Sequence, residues 1–307
     1  MKHYTGLIPA AYTPCRADGE LNLEPIPELA RLYAEQRAPA VFVCGSTGEC
    51  HSFTREERMR TAEAWLAAAA GMDVIVHVGT NCQRDAIALA QHAKAIGAAA
   101  VAALAPSYHR PATVADLVEF MRPVAAAAAP LPFYFYDIPQ MTGVALPADR
   151  VLRQCAAVIP TSAGIKFSGP DLMRLQACLG IENGRYDLLY GSDENLLAAL
   201  ALGVRGAVGS TFNYAAPVYH RVVDAFSRGD LAAARAEQRK SVAHVEVLFE
   251  HGVLRTGKAI MSLIGIDCGP IRPPFRPVEA EDLRAIYDKL SPHGEIFARQ
   301  LRLPSGG

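Results

Sequence analysis

The sequence predicts an α/β fold, a TIM (β/α)8 barrel with a C-terminal helical extension. Eight short apolar runs occur in the chain, and each is followed by a segment with helical periodicity. The runs are continuously apolar, as expected of parallel strands that are covered on both faces. Eight such units over about 225 residues suit a barrel. A doubly wound sheet is the alternative, but its first strand usually ends in a Gly-rich phosphate loop, whereas Thr13-Pro14 stands here.

The predicted strands are short apolar runs that end at glycine, proline or polar residues. They cover residues 6–12, 40–44, 73–78, 99–105, 131–136, 161–168, 186–190 and 205–208. Helices are predicted by periodicity and by start signals such as the capping-box pattern Thr54-Arg55-Glu56-Glu57. They cover residues 23–36, 54–70, 83–96, 113–128, 147–155, 171–179 and 217–227, with one more that ends near residue 202.

The pattern changes after Gly229, because no further strand-like run follows it. Helical segments are predicted over residues 230–251, 256–263 and 279–289, and a last one runs to about Leu301. The proline-rich residues 270–277 are predicted to form an ordered connector, and residues 304–307 a loose tail. We therefore expect a catalytic barrel over residues 1–228 and a helical extension over residues 229–307.

The composition argues against several classes of function. The chain has 307 residues and a net charge of −1, without a basic run, so nucleic-acid binding is not expected. No apolar run reaches the ~18 residues of a membrane-spanning helix. Seven irregularly spaced cysteines and a start without a signal-peptide pattern favour a cytoplasmic protein with reduced thiols. No metal site is expected, because His51, His77, His92 and His109 lack the spacing of metal ligands.

One lysine stands inside an apolar strand, where a charged head group is unusual. Lys166 lies in residues 164–168, Gly-Ile-Lys-Phe-Ser, and alternation places it opposite to Ala163, Ile165 and Phe167. Burying an ammonium group is costly and favours the neutral amine, which attacks carbonyls and forms Schiff bases. The alternative is a strand lysine that reaches water or pairs with a carboxylate.

Tyr136 ends the fifth predicted strand, next to the strand that carries Lys166. Neighbouring strands lie about 4.8 Å apart, and the C-terminal strand ends of such a barrel form the active site. A phenol this close to an amine can pass a proton to or from a bound substrate. The alternative is a core tyrosine whose hydroxyl is satisfied within the protein.

The second predicted strand ends in the turn Gly45-Ser46-Thr47-Gly48-Glu49. Its two hydroxyls and its exposed backbone N–H groups suit a carboxylate. Phosphate is less favoured, since no Gly-x-x-x-x-Gly-Lys pattern is present. The alternative is a simple turn with a helix cap, in which Glu49 only supports the loop.

Further polar residues follow the later strands. Asp193 and Glu194 come after the seventh strand, where paired carboxylates can accept hydrogen bonds from sugar hydroxyls. The alternative is that they only favour the start of the next helix. Ser168 and Ser210 are additional candidate donors at the ends of the sixth and eighth strands.

Together these motifs resemble one family, the pyruvate-dependent class I aldolases that contain dihydrodipicolinate synthase and N-acetylneuraminate lyase. The resemblance extends from residue 6 to about residue 277. Residues 45–49 are similar to the family's pyruvate-carboxylate loop, residues 136–139 to its tyrosine motif and residues 164–168 to its Schiff-base lysine motif. The resemblance implies that Lys166 and Tyr136 are catalytic and that Ser46 and Thr47 hold a carboxylate.

Within the family, the chain looks most like the N-acetylneuraminate lyase branch. Residues 191–194, Gly-Ser-Asp-Glu, are similar to that branch's sugar-binding motif, which implies substrate contacts for Gly191, Asp193 and Glu194. Residues 206–213 are also similar to a segment of that branch, and the resemblance implies a contact for Ser210 at the sugar end. Met141 stands where the synthase branch has an arginine for its second substrate's carboxylate, and a thioether cannot replace that arginine. Tyr108 matches a family tyrosine that reaches into a neighbouring subunit's site.

The resemblance implies reversible cleavage of N-acetylneuraminate to N-acetylmannosamine and pyruvate. It also implies that the covalent intermediate on Lys166 needs no cofactor, that the partners are a small 2-keto sugar acid and pyruvate, and that the protein is a homotetramer. The alternatives within this chemistry are another 2-keto-3-deoxy sugar-acid aldolase and, less favoured, dihydrodipicolinate synthase. A non-catalytic sugar-acid-binding protein on the same barrel is the alternative from another class.

Overall fold

The computed structural model describes residues 2–69 and 71–303. Its strands are β1 (Gly6–Pro9), β2 (Ala40–Val43), β3 (Asp73–His77), β4 (Ala100–Leu104), β5 (Phe133–Asp137), β6 (Ser162–Phe167), β7 (Asp187–Tyr190) and β8 (Gly206–Gly209). All pairings are parallel, in the order β1-β8-β7-β6-β5-β4-β3-β2. A parallel bridge between Ala10 and Phe42 links the two edge strands, so the sheet closes. The predicted TIM barrel is confirmed.

Helices follow the strands and cover the outside of the barrel. They are α1 (Ile26–Glu35), α2 (Arg55–Ala68), α3 (Gln83–Ala95), α4 (Val114–Ala128), α5 (Pro139–Thr142), α6 (Ala148–Val158), α7 (Leu172–Leu179), α8 (Leu196–Leu202) and α9 (Ala216–Ser227). The predicted capping box opens α2, since Thr54 Oγ1 accepts from the backbone N–H of Glu57 and the Glu57 carboxylate accepts from that of Thr54. None of the helices in the described residues is long and apolar enough to cross a membrane.

The strands separate two apolar layers. One fills the barrel interior and contains Ile8, Phe42, Tyr134, Tyr136, Leu189 and Val208, among others. The other lies between the strands and the helices and contains Ile165 and Phe167. Ala163 belongs to the interior layer, so its predicted side of the strand is wrong. The reason is a register shift, because Phe133 pairs with Ser162 but Tyr134 pairs with Gly164, which inserts one residue and inverts the alternation.

The extension consists of α10 (Leu231–His251), α11 (Val253–Leu263) and α12 (Ala280–Leu290). The last predicted helix is wrong in extent, because a 3-10 helix ends at Ile296 and Phe297 is already extended. Pro292 and Gly294 explain the early end, since neither favours a continuing helix. The predicted tail, residues 304–307, lies outside the described residues, as does Ala70 at the end of the second predicted helix. The predicted boundary between residues 228 and 229 stays a prediction. α10 packs directly on α9, so the extension is in contact with the barrel at this point.

Candidate active site

A cavity of about 600 Å³ lies at the C-terminal ends of the strands. Its lining includes seven of the side chains or backbone positions that the sequence singles out: Ser46, Thr47, Tyr136, Lys166, Ser168, Gly191 and Ser210. They come from β2, β5, β6, β7 and β8 or from the turns after these strands. The barrel therefore gathers residues that are far apart in the sequence into one site, as the strand-end argument predicts.

Lys166 lies inside the barrel with only 3% of its surface exposed. Its Nζ is 3.8 Å from the ring centre of Tyr136 and 4.4 Å from that of Phe42. The salt bridges among the described residues do not include Lys166, and its burial argues against a head group that reaches open water. Gly164 makes the close strand pairing possible, because a Cβ there would meet the Asp187 carbonyl oxygen at 1.8 Å.

Tyr136 pairs directly with Lys166 across β5 and β6. Its hydroxyl donates a hydrogen bond of 3.3 Å to Ser46 Oγ. Its ring is held edge-on against Phe42 and His77, with ring centres 5.7 Å apart in both pairs. The phenol is therefore fixed between the lysine amine and the turn that follows β2.

The turn after β2 is fixed by its own backbone. The N–H of Glu49 donates to the Ser46 carbonyl at 3.0 Å, and the N–H of Cys50 to the Gly45 carbonyl at 3.1 Å. The Gly48 carbonyl accepts from Thr13 Oγ1 at 2.9 Å. These contacts hold the two hydroxyls of Ser46 and Thr47 at the cavity wall.

His77 supports this turn from β3, a role that the sequence analysis missed. Its Nδ1 donates to the carbonyl of Cys44 at 2.9 Å, and its Nε2 accepts from the backbone N–H of Leu104 at 3.3 Å. Complete burial, and then the nearby Arg58 guanidinium, lower the pKa of His77 well below its usual value. The imidazole is therefore neutral, which fits its one donated and one accepted hydrogen bond.

Ser168 is well placed to bind a ligand. Its hydroxyl is buried and lacks a hydrogen-bond partner among the residues that the structure describes. It packs against Gly191, where a Cβ would meet Ser168 Oγ at 2.0 Å, so a larger residue there would force this hydroxyl to turn away. A buried hydroxyl without a partner is unfavourable, and a bound substrate can satisfy it.

The other predicted sugar-end residues lie outside the cavity lining. Asp193 is buried, and its carboxylate accepts from the backbone N–H and the Oγ1 of Thr211, at 2.8 and 2.6 Å. Burial raises the pKa of Asp193 to about 6, although these hydrogen bonds oppose the shift. Glu194 is half-buried, and Tyr108 is 82% exposed. Substrate contacts of these three residues stay predictions.

The sequence analysis also missed the outer half of the cavity, which the extension provides. The start of α11 and the proline-rich connector contribute Gly252, Val253, Leu254, Arg255, Ile271, Pro274, Phe275 and Arg276. The only signal was the proline-rich composition, which indicates an ordered connector but not where it packs. The described lining contains the basic residues Arg255 and Arg276 but no carboxylate, so it favours anionic ligands.

A buried carboxyl next to the tyrosine makes the stability of the protein depend on pH. Asp137 faces a separate cavity, and burial raises its pKa to about 7. The folded protein therefore holds this proton more tightly than the unfolded chain, whose carboxyl titrates near 3.9. Ionising the carboxyl then costs stability as the pH rises from about 4 to about 7.

We expect the difference in unfolding free energy between Asp137→Asn and wild type to favour the variant by roughly 2.5 kcal/mol more at pH 8 than at pH 5. Asparagine has nearly the same shape but does not titrate. Urea unfolding at both pH values measures the difference, and all other titrating groups are common to the two proteins. An equal difference at pH 5 and pH 8 would show that Asp137 does not titrate in this range.

Comparisons with known proteins agree with this geometry. A profile of the Dihydrodipicolinate synthetase family matches residues 3–292. The N-acetylneuraminate lyase of Gallus gallus is 39% identical over 295 residues, which cover 94% of this chain and 96% of that protein. The solved structure of Proteus mirabilis N-acetylneuraminate lyase has a TM-score of 0.92 at 37% identity and covers 94% of this chain and 98% of its own.

A second solved structure, the N-acetylneuraminate lyase (sialic acid aldolase) of Aliivibrio salmonicida, has a TM-score of 0.93 at 36% identity. The match covers 98% of this chain and 99% of that one. The family match spans the barrel and most of the extension. The resemblance seen in the motifs is thereby confirmed, and the chain belongs to the Dihydrodipicolinate synthetase family.

Proposed function

We propose that the protein is a class I aldolase that cleaves N-acetylneuraminate reversibly to N-acetylmannosamine and pyruvate. The observation that carries this proposal is the buried Lys166 amine beside the Tyr136 phenol, in a cavity whose described charges are all positive. The similarity to N-acetylneuraminate lyases over nearly the whole chain supports the choice of substrate.

In the proposed mechanism, Lys166 Nζ attacks the C2 ketone of the substrate, and loss of water forms an iminium ion. The Tyr136 oxygen takes the proton of the C4 hydroxyl as the C3–C4 bond breaks. The bonding electrons move into the iminium, which becomes an enamine, and the aldehyde N-acetylmannosamine leaves. A proton returns to C3, and water hydrolyses the iminium to release pyruvate and the free amine. The iminium is the electron sink, so no redox partner is needed.

The remaining site residues bind the two ends of the substrate. Ser46 and Thr47 hold the carboxylate, because their turn lies beside the Tyr136 hydroxyl and close to the reacting amine. The Ser168 hydroxyl, which has no partner among the described residues, and the cavity surface next to Gly191 and Ser210 suit the part of the substrate beyond the carboxylate. Asp193 and Glu194 act at that end, Asp193 by holding the Thr211 loop.

The competing aldolase functions differ in what they require at the outer half of the cavity. For dihydrodipicolinate synthase, the arginine that would bind a second carboxylate is replaced by Met141, which lines the cavity and is 59% exposed. Other 2-keto-3-deoxy sugar acids share the pyruvate end and differ only at the aldehyde. A non-catalytic binding protein would not require the Lys166–Tyr136 pair.

A substrate panel tests this proposal. We expect the purified protein to release pyruvate from N-acetylneuraminate faster than from simple 2-keto-3-deoxy acids, and to show no condensation of pyruvate with aspartate semialdehyde. Pyruvate release is followed with a coupled lactate dehydrogenase assay. The rate with N-glycolylneuraminate, compared with that of N-acetylneuraminate, shows whether the enzyme distinguishes the acyl group on the sugar nitrogen. Turnover of a simple 2-keto-3-deoxy acid alone would point to the related aldolase, and trapping of pyruvate without any turnover to a binding protein.

We further propose that the protein is a cytoplasmic homotetramer that needs no cofactor, and that residues 1–228 and 229–307 form its two units. The exposed Tyr108 suits a residue that completes a neighbouring subunit's site. Among the described residues, no group of three or more His, Cys, Asp or Glu side chains is arranged to hold a metal ion.

A further inference from the structure

The turn after β2 is bounded by two residues with an unfavourable backbone conformation. Cys44 has φ 57° and Glu49 has φ 55°, a left-handed conformation that residues with a Cβ rarely adopt. Such conformations persist only where the surroundings hold them. His77 holds the first one through the Cys44 carbonyl. The left-handed conformation of Glu49 needs a different support.

A buried ion pair provides that support from the extension. Lys258 Nζ, on α11, lies 2.6 Å from Glu49 Oε1, and the two side chains are only 2% and 3% exposed. The other carboxylate oxygen of Glu49 accepts from the backbone N–H of Arg272 at 2.8 Å. Lys258 also donates to the carbonyl of Pro270 at 2.9 Å. Glu49 is therefore tied to both α11 and the connector.

The contacts continue from this pair to the reacting groups. The backbone N–H of Glu49 donates to the Ser46 carbonyl, and Ser46 Oγ accepts from the Tyr136 hydroxyl. Removing one partner of a buried ion pair leaves an uncompensated charge, which has to move or attract water. Such a movement would reach Ser46 through a single hydrogen bond.

We propose that Glu49 and Lys258 are a positioning pair, through which the C-terminal extension sets the turn that binds the carboxylate of the 2-keto acid. This inference rests on the carboxylate role given to Ser46 and Thr47 in the proposed function. The pair touches no substrate itself. It acts mainly on the pyruvate half of the reaction, because Glu49 is one hydrogen bond away from Ser46.

The test uses the full-length Lys258→Met variant and two separate affinities. Borohydride trapping at increasing pyruvate concentrations gives the half-saturating concentration of pyruvate. We expect it to rise by about tenfold or more, because small displacements of a binding group cost up to about a hundredfold. The KM for N-acetylmannosamine in the synthesis direction should rise much less than the half-saturating pyruvate concentration, since that sugar has no carboxylate. A general loss of folded protein would lower the trapped amount without changing half-saturation.

Two further variants keep the test decisive. Glu49→Gln with Lys258→Met removes both charges, so it avoids a buried lone carboxylate if the single variant fails to fold. Arg299→Met is the matched control, because Arg299 also joins the extension to the barrel, through Glu28 at 2.8 Å, away from the turn. Wild-type half-saturation in the double variant, or an equal rise in Arg299→Met, would overturn the inference. If the wild-type protein traps no pyruvate, the proposed aldolase function is wrong. If it traps pyruvate but does not use N-acetylmannosamine, only the assignment of the substrate is wrong.

Discussion

Lys166→Ala is expected to abolish both adduct formation and turnover. With pyruvate and borohydride, the wild-type protein should gain a reduced adduct on the peptide that contains Lys166, while the variant should gain none. Turnover should fall by on the order of 10⁴-fold or more, as when a covalent nucleophile is removed from other enzymes. Mass spectrometry of the peptides measures the first effect, and pyruvate release the second.

Two variants control for the fold and for other lysines. Lys166→Met removes the amine but keeps most of the side-chain volume between the rings of Tyr136 and Phe42. Lys94→Ala changes an exposed lysine on α3 and should retain trapping and turnover. An adduct that persists in both Lys166 variants would show that another amine forms the Schiff base.

Tyr136→Phe is expected to separate adduct formation from bond cleavage. The ring remains beside Lys166, so pyruvate should still be trapped, but the phenol that moves the C4 proton is gone. The kcat should fall by about 10²–10⁴-fold, the usual contribution of a positioned acid or base. Single-turnover cleavage of N-acetylneuraminate, compared with pyruvate trapping in the same variant, measures the two steps separately.

Tyr134→Phe is the matched control for this result. Tyr134 belongs to the same strand and the same interior layer, but its hydroxyl donates to Asp187 at 3.0 Å instead of to Ser46. This variant should lose some stability, because Asp187 loses a hydrogen-bond donor, and retain kcat. A kcat near wild type in Tyr136→Phe would remove the phenol from proton transfer.

The barrel and the position of Tyr136 beside Lys166 were predictable because their signals are local. Continuous apolar runs mark covered parallel strands, and sequential strands pair, which places Tyr136 beside Lys166. The side of the strand on which Ala163 lies was not predictable, because alternation assumes a regular ladder and the register shifts there. The extra residue leaves no composition signal of its own.

The outer wall of the cavity could not be predicted from the sequence, for a different reason. Arg255 and Arg276 reach the cavity only because α11 and the connector fold back over the strand ends, a contact between segments that are distant in sequence. The sequence likewise shows Asp193 after a strand, but not that Thr211 donates two hydrogen bonds to its carboxylate. Local patterns indicate which residue types are present, and long-range packing decides which of them face the ligand.

Within a few residues, the proline-rich connector has one side chain that fixes it to the protein and two that line the cavity. Arg272 points into the protein, where its guanidinium bonds to Glu57 and to the carbonyls of Gly19 and Ser52. Phe275 and Arg276, a few residues later, line the cavity and are exposed. We expect substitutions at these two exposed positions to change which ligands enter the outer half of the cavity, while the Arg272 anchor and the barrel stay as they are.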